Sequence, residues 1–83
     1  MVSAQIGKMG VIDNLQTGDF SLVDGQCFNV KNDGLQPVKL EIQLAGMQDG
    51  EFVETTFEVG WNPEIIKVVK QTSLSSINLK WGY

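Results

Sequence analysis

Apolar and polar residues alternate most regularly between Pro37 and Pro63. Val38, Leu40, Ile42 and Leu44 are separated by Lys39, Glu41 and Gln43, and a period of two puts the first set on one face of a strand and the second in water. Val53, Thr55, Phe57 and Val59 alternate with Glu54, Thr56 and Glu58 in the same way, with β-branched and aromatic residues on the apolar side. Between the two runs lies Asp49-Gly50, and a two-residue type I′ turn needs positive φ at both central positions, which Asp and especially Gly tolerate. The pattern predicts a tight hairpin in which Leu44 faces Thr55, Ile42 faces Phe57 and Leu40 faces Val59. That register sets Glu41 against Glu58, a like-charge pair. A slip of two residues would bring Lys39 opposite Glu58 instead, and the two strands could also belong to opposing sheets.

Shorter runs flank this centre. Val2, Ala4 and Ile6 alternate with Ser3 and Gln5, predicting a strand that ends at Gly7, and Met9 to Ile12 either continues it past a glycine bulge or forms a separate piece. Asp13 to Asp19 is a polar loop. Phe20–Val23 and Gln26–Lys31 read as two β runs joined by Asp24-Gly25, a second hairpin, and Asn32-Asp33-Gly34 is a further turn before Pro37. After Gly60 the pattern changes. Asn62-Pro63-Glu64 supplies an N-cap side chain, a proline for the first helical position and an acid at the positive end of a helix dipole. Ile65, Ile66, Val68 and Val69 then follow at helical spacing, so one short helix is predicted near residues 63–70. A strand competes with it, because all four residues are β-branched. Ile77, Leu79, Trp81 and Tyr83 alternate with Asn78, Lys80 and Gly82 to form a last strand. Six or seven strands punctuated by regular turn signals predict an all-β antiparallel sandwich, one domain over residues 1–83.

With 83 residues, a chain buries only about two-thirds of the surface its unfolded form exposes. Its 42% hydrophobic and 19% charged residues suit a folded globule, and a flat sheet face left uncovered would favour oligomerisation or docking. The net charge is −4, and the six basic residues are all scattered lysines. No stripe is present to track a phosphate backbone and no arginine to grip one, so neither nucleic acid nor a membrane surface is an expected partner. The single cysteine, Cys27, makes no disulfide within the chain, which suits a reducing cytoplasm. Met1 to Asp13 holds no apolar run of signal-peptide length.

The chain has no histidine, which removes the usual general base near neutral pH and the commonest transition-metal ligand. Cys27 therefore lacks an imidazole partner and reads as a small buried apolar residue. Glu41, Glu54 and Glu58 could be weighed as a glycosidase carboxylate pair, but they fall on the solvated face of regular strands. The aspartates Asp13, Asp19, Asp24, Asp33 and Asp49 sit mostly beside Gly or Asn, as turn residues do, and lack calcium-loop spacing. No glycine-rich phosphate-binding pattern occurs. The expectation is a non-enzymatic protein without cofactor or metal. Its remaining candidates for contact are aromatic: Trp61, Trp81 and Tyr83 supply either core packing or a platform for a sugar or a partner. Trp81 is assigned to the core and Trp61 to one end of the sandwich.

From Phe28 to Val69, FNVKNDGLQPVKLEIQLAGMQDGEFVETTFEVGWNPEIIKVV, the chain resembles a compact immunoglobulin-like sandwich: a strand, an Asn-Asp-Gly turn, a long alternating strand, then a strand running into a Gly-Trp-Asn-Pro corner. A short β domain ending on an aromatic strand also resembles the small accessory or decoration proteins of tailed-phage virions. That resemblance implies a structural or interaction protein docked on a larger assembly such as a phage capsid, with a protein partner such as a capsid protein and with self-association open. It implies a location in the virion, or in the cytoplasm before assembly. The candidate contact residues are Trp61, Asn62 and Tyr83. The alternative is a carbohydrate-binding module using exposed aromatics.

Overall fold

A computed structural model of the chain describes residues 6–75 and 77–83. The strand expected at Val2 to Ile6 lies, but for Ile6, outside them. Eight strands follow in chain order: β1 (Met9–Ile12), β2 (Phe20–Ser21), β3 (Asn29–Asn32), β4 (Val38–Leu44), β5 (Val53–Phe57), β6 (Gly60–Trp61), β7 (Ile66–Val69) and β8 (Leu79–Gly82). They form two antiparallel sheets of four, in the orders β1-β8-β3-β6 and β2-β7-β4-β5. The all-β sandwich expected from the alternating pattern is therefore present.

Strand order narrows that expectation. The first strand pairs with the last, the second with the seventh, the third with the sixth and the fourth with the fifth. This is one long antiparallel hairpin, rolled up so that alternate pairs fall in alternate sheets and closed by β3–β8 and β4–β7 contacts. It is the double Greek key of a jelly roll. In an immunoglobulin sandwich the first strand neighbours the second instead, so within the β-sandwich class the topology here is the rolled one.

The centre of the sandwich is filled from both sheets. Val30, Ile42, Phe57, Ile66 and Val69 are wholly buried, and Ile12, Leu15, Phe28, Leu40 and Leu79 nearly so. Phe20 meets Phe28 edge-on at 5.6 Å between ring centroids. Two bridges join the sheets at their corners, Phe28 to Ile66 in antiparallel and Asn32 to Val59 in parallel sense.

Three local expectations are corrected. No helix forms near residues 63–70; Ile66–Val69 is β7 and the residues on either side are irregular. Pairing along β4 shifts between Gln43 and Leu44, so that Val68 faces Gln43, Ile66 faces Leu44 and Lys67 is the extra residue of a β-bulge. The bulge resets the side-chain parity and lets Ile66 and Val69, three residues apart, both enter the core. An apolar spacing of three is thus produced by a bulge rather than by a helical turn.

The central hairpin keeps its strands but changes register. Leu40, expected opposite Val59, lies opposite Thr55, four residues along, and Val38 faces Phe57. The like-charge pair persists with a different partner, Glu41 against Glu54, and the Lys70 ammonium at 3.8 Å from Glu41 offsets it. The connection is no tight turn. It carries two turns in series, with Met47 N–H donating to the Leu44 carbonyl and Glu51 N–H to that of Gln48, both at 3.0 Å. Gly50 takes the positive φ of 87° at the third position of the second turn, which is type II geometry. Side chains reinforce it: Gln43 Nε2 donates to the Gln48 carbonyl at 2.9 Å and Gln48 N–H to Glu51 Oε1 at 2.8 Å.

Finally, Phe20–Val23 and Gln26–Lys31 are not a hairpin. β2 joins one sheet and β3 the other. The Asp24-Gly25 pair does adopt the double positive φ of a type I′ turn, 60° and 70°, yet the chain uses it to cross between layers.

Candidate functional site

The Gly-Trp-Asn-Pro stretch is β6 and the two residues after it, so the chain enters it from β5 of one sheet through the Glu58-Val59 corner and leaves it toward β7 of that same sheet. Asn62 holds the corner. Its side chain is 5% exposed, and its carboxamide Nδ2 donates to the carbonyls of Glu58 and Gly60, each at 3.0 Å, while Oδ1 accepts from the Glu58 N–H at 3.1 Å. The Asn62 backbone N–H donates to the Val30 carbonyl at 2.9 Å. A residue read as a helix cap instead closes off both backbone groups of Glu58, and its carboxamide is fully committed within the chain.

The two tryptophans lie on opposite faces of the sheet β1-β8-β3-β6. Trp81 is paired with the buried Val30 and with Gly10, so it faces inward, as expected. A Cβ on Gly10 would come within 2.7 Å of its indole. Trp61 is paired with Lys31 and faces outward, half-buried, over Gly82, where an added Cβ would come within 2.6 Å of the ring. Glycine at 10 and 82 is what lets each indole lie flat on the backbone. Tyr83 stacks on Trp81 with centroids 5.8 Å apart and planes 15° from parallel, leaving it 39% exposed. Its backbone is pinned by Lys8, through Tyr83 N–H to the Lys8 carbonyl at 2.9 Å and Lys8 N–H to the Tyr83 carbonyl at 2.9 Å. Trp61, Asn62 and Tyr83 therefore do not converge: one lies on the outer face, one in the corner and one beside the inward-facing Trp81.

The outer face around Trp61 carries a feature that was missed. One row across it reads Val11, Lys80, Lys31, Trp61, and the next reads Met9, Gly82, Asn29. Val11 is 58% and Met9 45% exposed. The alternation of Met9 and Val11 with Gly10 and the buried Ile12 is the signal that could have placed them outward. The neighbouring Lys31 and Lys80 are held together by Asp33, whose carboxylate lies 2.9 Å from the Lys80 and 3.2 Å from the Lys31 ammonium. Hydrogen bonds from Lys80 and then Lys31 hold the Asp33 carboxyl below its ordinary pKa.

A carboxylate with a depressed folded pKa contributes stability that is complete above the unfolded value of about 3.9 and is lost as pH falls through the folded value. Asp33→Asn is accordingly expected to lower stability at neutral pH and to match the parent chain at about pH 2. Urea unfolding across that range, with a difference that closes only on acidification, is the check.

A groove of about 420 Å³ lies between the Asp13–Thr17 loop and Leu74, Ser75, Ile77 and Asn78, and Asp13 is the one ionisable residue among the described residues lining it. Glu64 Oε1 is enclosed without a hydrogen-bond partner. Among the described residues no three His, Cys, Asp or Glu side chains cluster as a metal site would require. Cys27 is half-buried rather than buried, its Sγ 4.0 Å from the Gly25 carbonyl oxygen. No helix among the described residues is long and apolar enough to cross a membrane. Comparison with protein-family models, curated proteins and solved structures gave no match.

Proposed function

We propose that this chain is a non-enzymatic structural or interaction protein, a subunit that docks on a larger assembly such as a phage capsid. The observation that carries this reading is the outer face of β1-β8-β3-β6, where Met9, Val11 and Trp61 expose apolar surface around an ion-paired cluster of Lys31, Lys80 and Asp33. Exposed Trp and Met side chains beside polar groups that are paired with one another match the composition that protein interfaces favour. The jelly-roll topology agrees, since capsid proteins use it, but lectins do as well, and fold alone does not assign function.

Val11→Glu is the informative variant. Its side chain would stand opposite Lys80 on an exposed position, so the fold should tolerate it to within about 0.5 kcal/mol, while the apolar surface acquires a charge. Purified virions or other large particles containing the protein should carry it at fixed copy number by quantitative mass spectrometry. With Val11→Glu that occupancy should fall at least roughly tenfold with unchanged melting, since an interface hot spot is worth about 2 kcal/mol or more. A parent protein found free of any particle would refute the proposal.

Carbohydrate binding is the second reading, favoured by the half-exposed Tyr83 ring lying parallel on Trp81. Its expected result is glycan-array binding abolished by Tyr83→Ala.

A further inference from the structure

β5 is an open edge of the sheet β2-β7-β4-β5. In an antiparallel ladder the N–H and C=O of one residue point to the same side, and successive residues point to alternate sides. The Lys70 N–H donates to the Glu41 carbonyl at 2.9 Å, so Glu41 spends its backbone groups toward β7. Its neighbours Leu40 and Ile42 therefore turn toward β5, where they lie opposite Thr55 and Val53. It follows that β5 bonds β4 through Val53, Thr55 and Phe57, and turns Glu54, Thr56 and Glu58 to the open side. Both groups of Glu58 are already taken by the Asn62 carboxamide. Glu54 and Thr56 remain, a donor–acceptor set two residues apart.

We propose that this edge pairs with β5 of a second copy of the chain, antiparallel, about a two-fold axis through Thr55. An isologous pair must match its own sequence reversed, and keeping inward side chains on one face while pairing at least three residues of β5 leaves axes at Glu54, Thr55 or Thr56. An axis at Glu54 sets Glu54 against itself, and one at Thr56 sets Glu54 against Glu58, whose backbone is occupied. Like charges directly opposite destabilise a sheet. An axis at Thr55 sets Glu54 against Thr56 of the second copy; such a pair exchanges two hydrogen bonds, and the axis makes it occur twice.

Side chains on both faces support that register. On the inner face Val53, 42% exposed at the strand end, comes to lie beside Phe57 of the second copy. On the outer face Lys39 lies opposite Thr56, and Glu54 opposite Glu41, which Lys70 neutralises. The joined sheet then reads Lys39, Thr56, then Glu54, Glu41 and Lys70 of the second copy. Each copy's unmatched Lys39 faces, across a small threonine, the other's unmatched Glu54. The two four-stranded sheets fuse into one of eight strands, away from the face carrying Val11 and Trp61, so the inference does not depend on that docking surface.

Sedimentation equilibrium from roughly 10 µM to roughly 1 mM tests it. The parent chain should show a concentration-dependent dimer. Thr56→Lys, which meets Glu54 of the second copy twice over, should tighten the dimer about 2- to 30-fold, and Thr56→Glu should weaken it by a similar factor. Thr56 is exposed, and circular dichroism of each variant confirms the fold. In a Cys27→Ser background, Thr55→Cys should oxidise to a cross-linked dimer, because a residue on the axis at a non-hydrogen-bonded site has a Cα spacing of about 4.5 Å, within disulfide range. A parent chain monomeric throughout, equal effects of Thr56→Lys and Thr56→Glu, or cross-linking through Glu54→Cys in place of Thr55→Cys would each overturn the proposal.

Discussion

Phe57→Ala is expected to destabilise the chain by about 3–5 kcal/mol. Phe57 is wholly buried, and it sits on the last paired position of β5, opposite Val38, just before the chain turns into the other sheet. Its ring thus fills the end of the core where β4, β5 and the corner meet. Native domains hold about 0.05–0.15 kcal/mol per residue, so roughly 4–12 kcal/mol for this chain, and the substitution consumes about a quarter or more of that. Deleting the ring removes its transfer free energy and leaves a void, and the hydrogen-bonded corner beside it cannot collapse to fill the space. Thermal unfolding followed by circular dichroism should show a midpoint lower by at least about 12 °C. Phe57→Leu, which keeps most of the apolar volume, should cost about 1.5 kcal/mol or less. Equal losses for the two variants would mean that the ring's volume is not what holds this end of the core.

Much of the architecture was legible because alternation reports directly which face a side chain takes. The strands at Val38–Leu44, Val53–Phe57 and Leu79–Gly82 were all placed from it, and so was the inward Trp81. Alternation does not report which strand lies alongside. Moving β5 four residues along β4 keeps every side chain on its face, since any even shift does, and the pattern therefore could not distinguish Val59 from Thr55 as the partner of Leu40. The same blindness applies to sheet membership, because β2 and β3 carry the same periodicity whether they pair with each other or separate. The bulge at Lys67 defeated periodicity altogether by giving a strand the spacing of a helix.

The candidate site divides along the same line. Trp61, placed at one end of the sandwich, and Tyr83, the last apolar position of the final strand, were named as candidate contacts, and both are partly exposed. That they belong to opposite faces depends on Trp61 being paired with Lys31 and Trp81 with Val30, a difference of one residue on β3. Met9 and Val11 gained meaning only when β8 and β3 brought Trp61 into the same outer face. Asn62 was misassigned because capping a helix and capping a strand end ask the same thing of a carboxamide: one acceptor and one donor offered to nearby backbone groups. Only the neighbouring backbone decides between them, and here it belongs to Glu58 and Gly60.

Asn62→Asp is expected to be more damaging at neutral pH than Asn62→Ala. Removing the carboxamide strands the Glu58 N–H and the carbonyls of Glu58 and Gly60, and at about 1–3 kcal/mol for a buried unsatisfied group, discounted because Glu58 is itself exposed, Asn62→Ala should cost about 2–4 kcal/mol. Aspartate keeps the shape and the acceptor for the Glu58 N–H. It replaces the donor, however, with an oxygen that faces carbonyl oxygens at 3.0 Å, and it does so where the side chain is 5% exposed. Both burial and the opposed dipoles raise the introduced carboxyl's pKa above its unfolded value of about 3.9. A folded-state pKa raised in this way makes stability fall as pH rises from the unfolded toward the folded value, because the folded chain holds the proton longer. Asn62→Asp should therefore gain stability relative to Asn62→Ala on acidification from pH 7 toward about pH 4, as the protonated carboxyl regains a donor. Urea unfolding of both variants at several pH values checks this, and parallel pH profiles would show that the carboxamide's donor role at the corner is dispensable. Asn62→Ala also uncovers both Glu58 backbone groups, lengthening the open edge of β5 by one hydrogen-bonding residue. The chain should then aggregate more readily, since unpaired strand edges template further pairing.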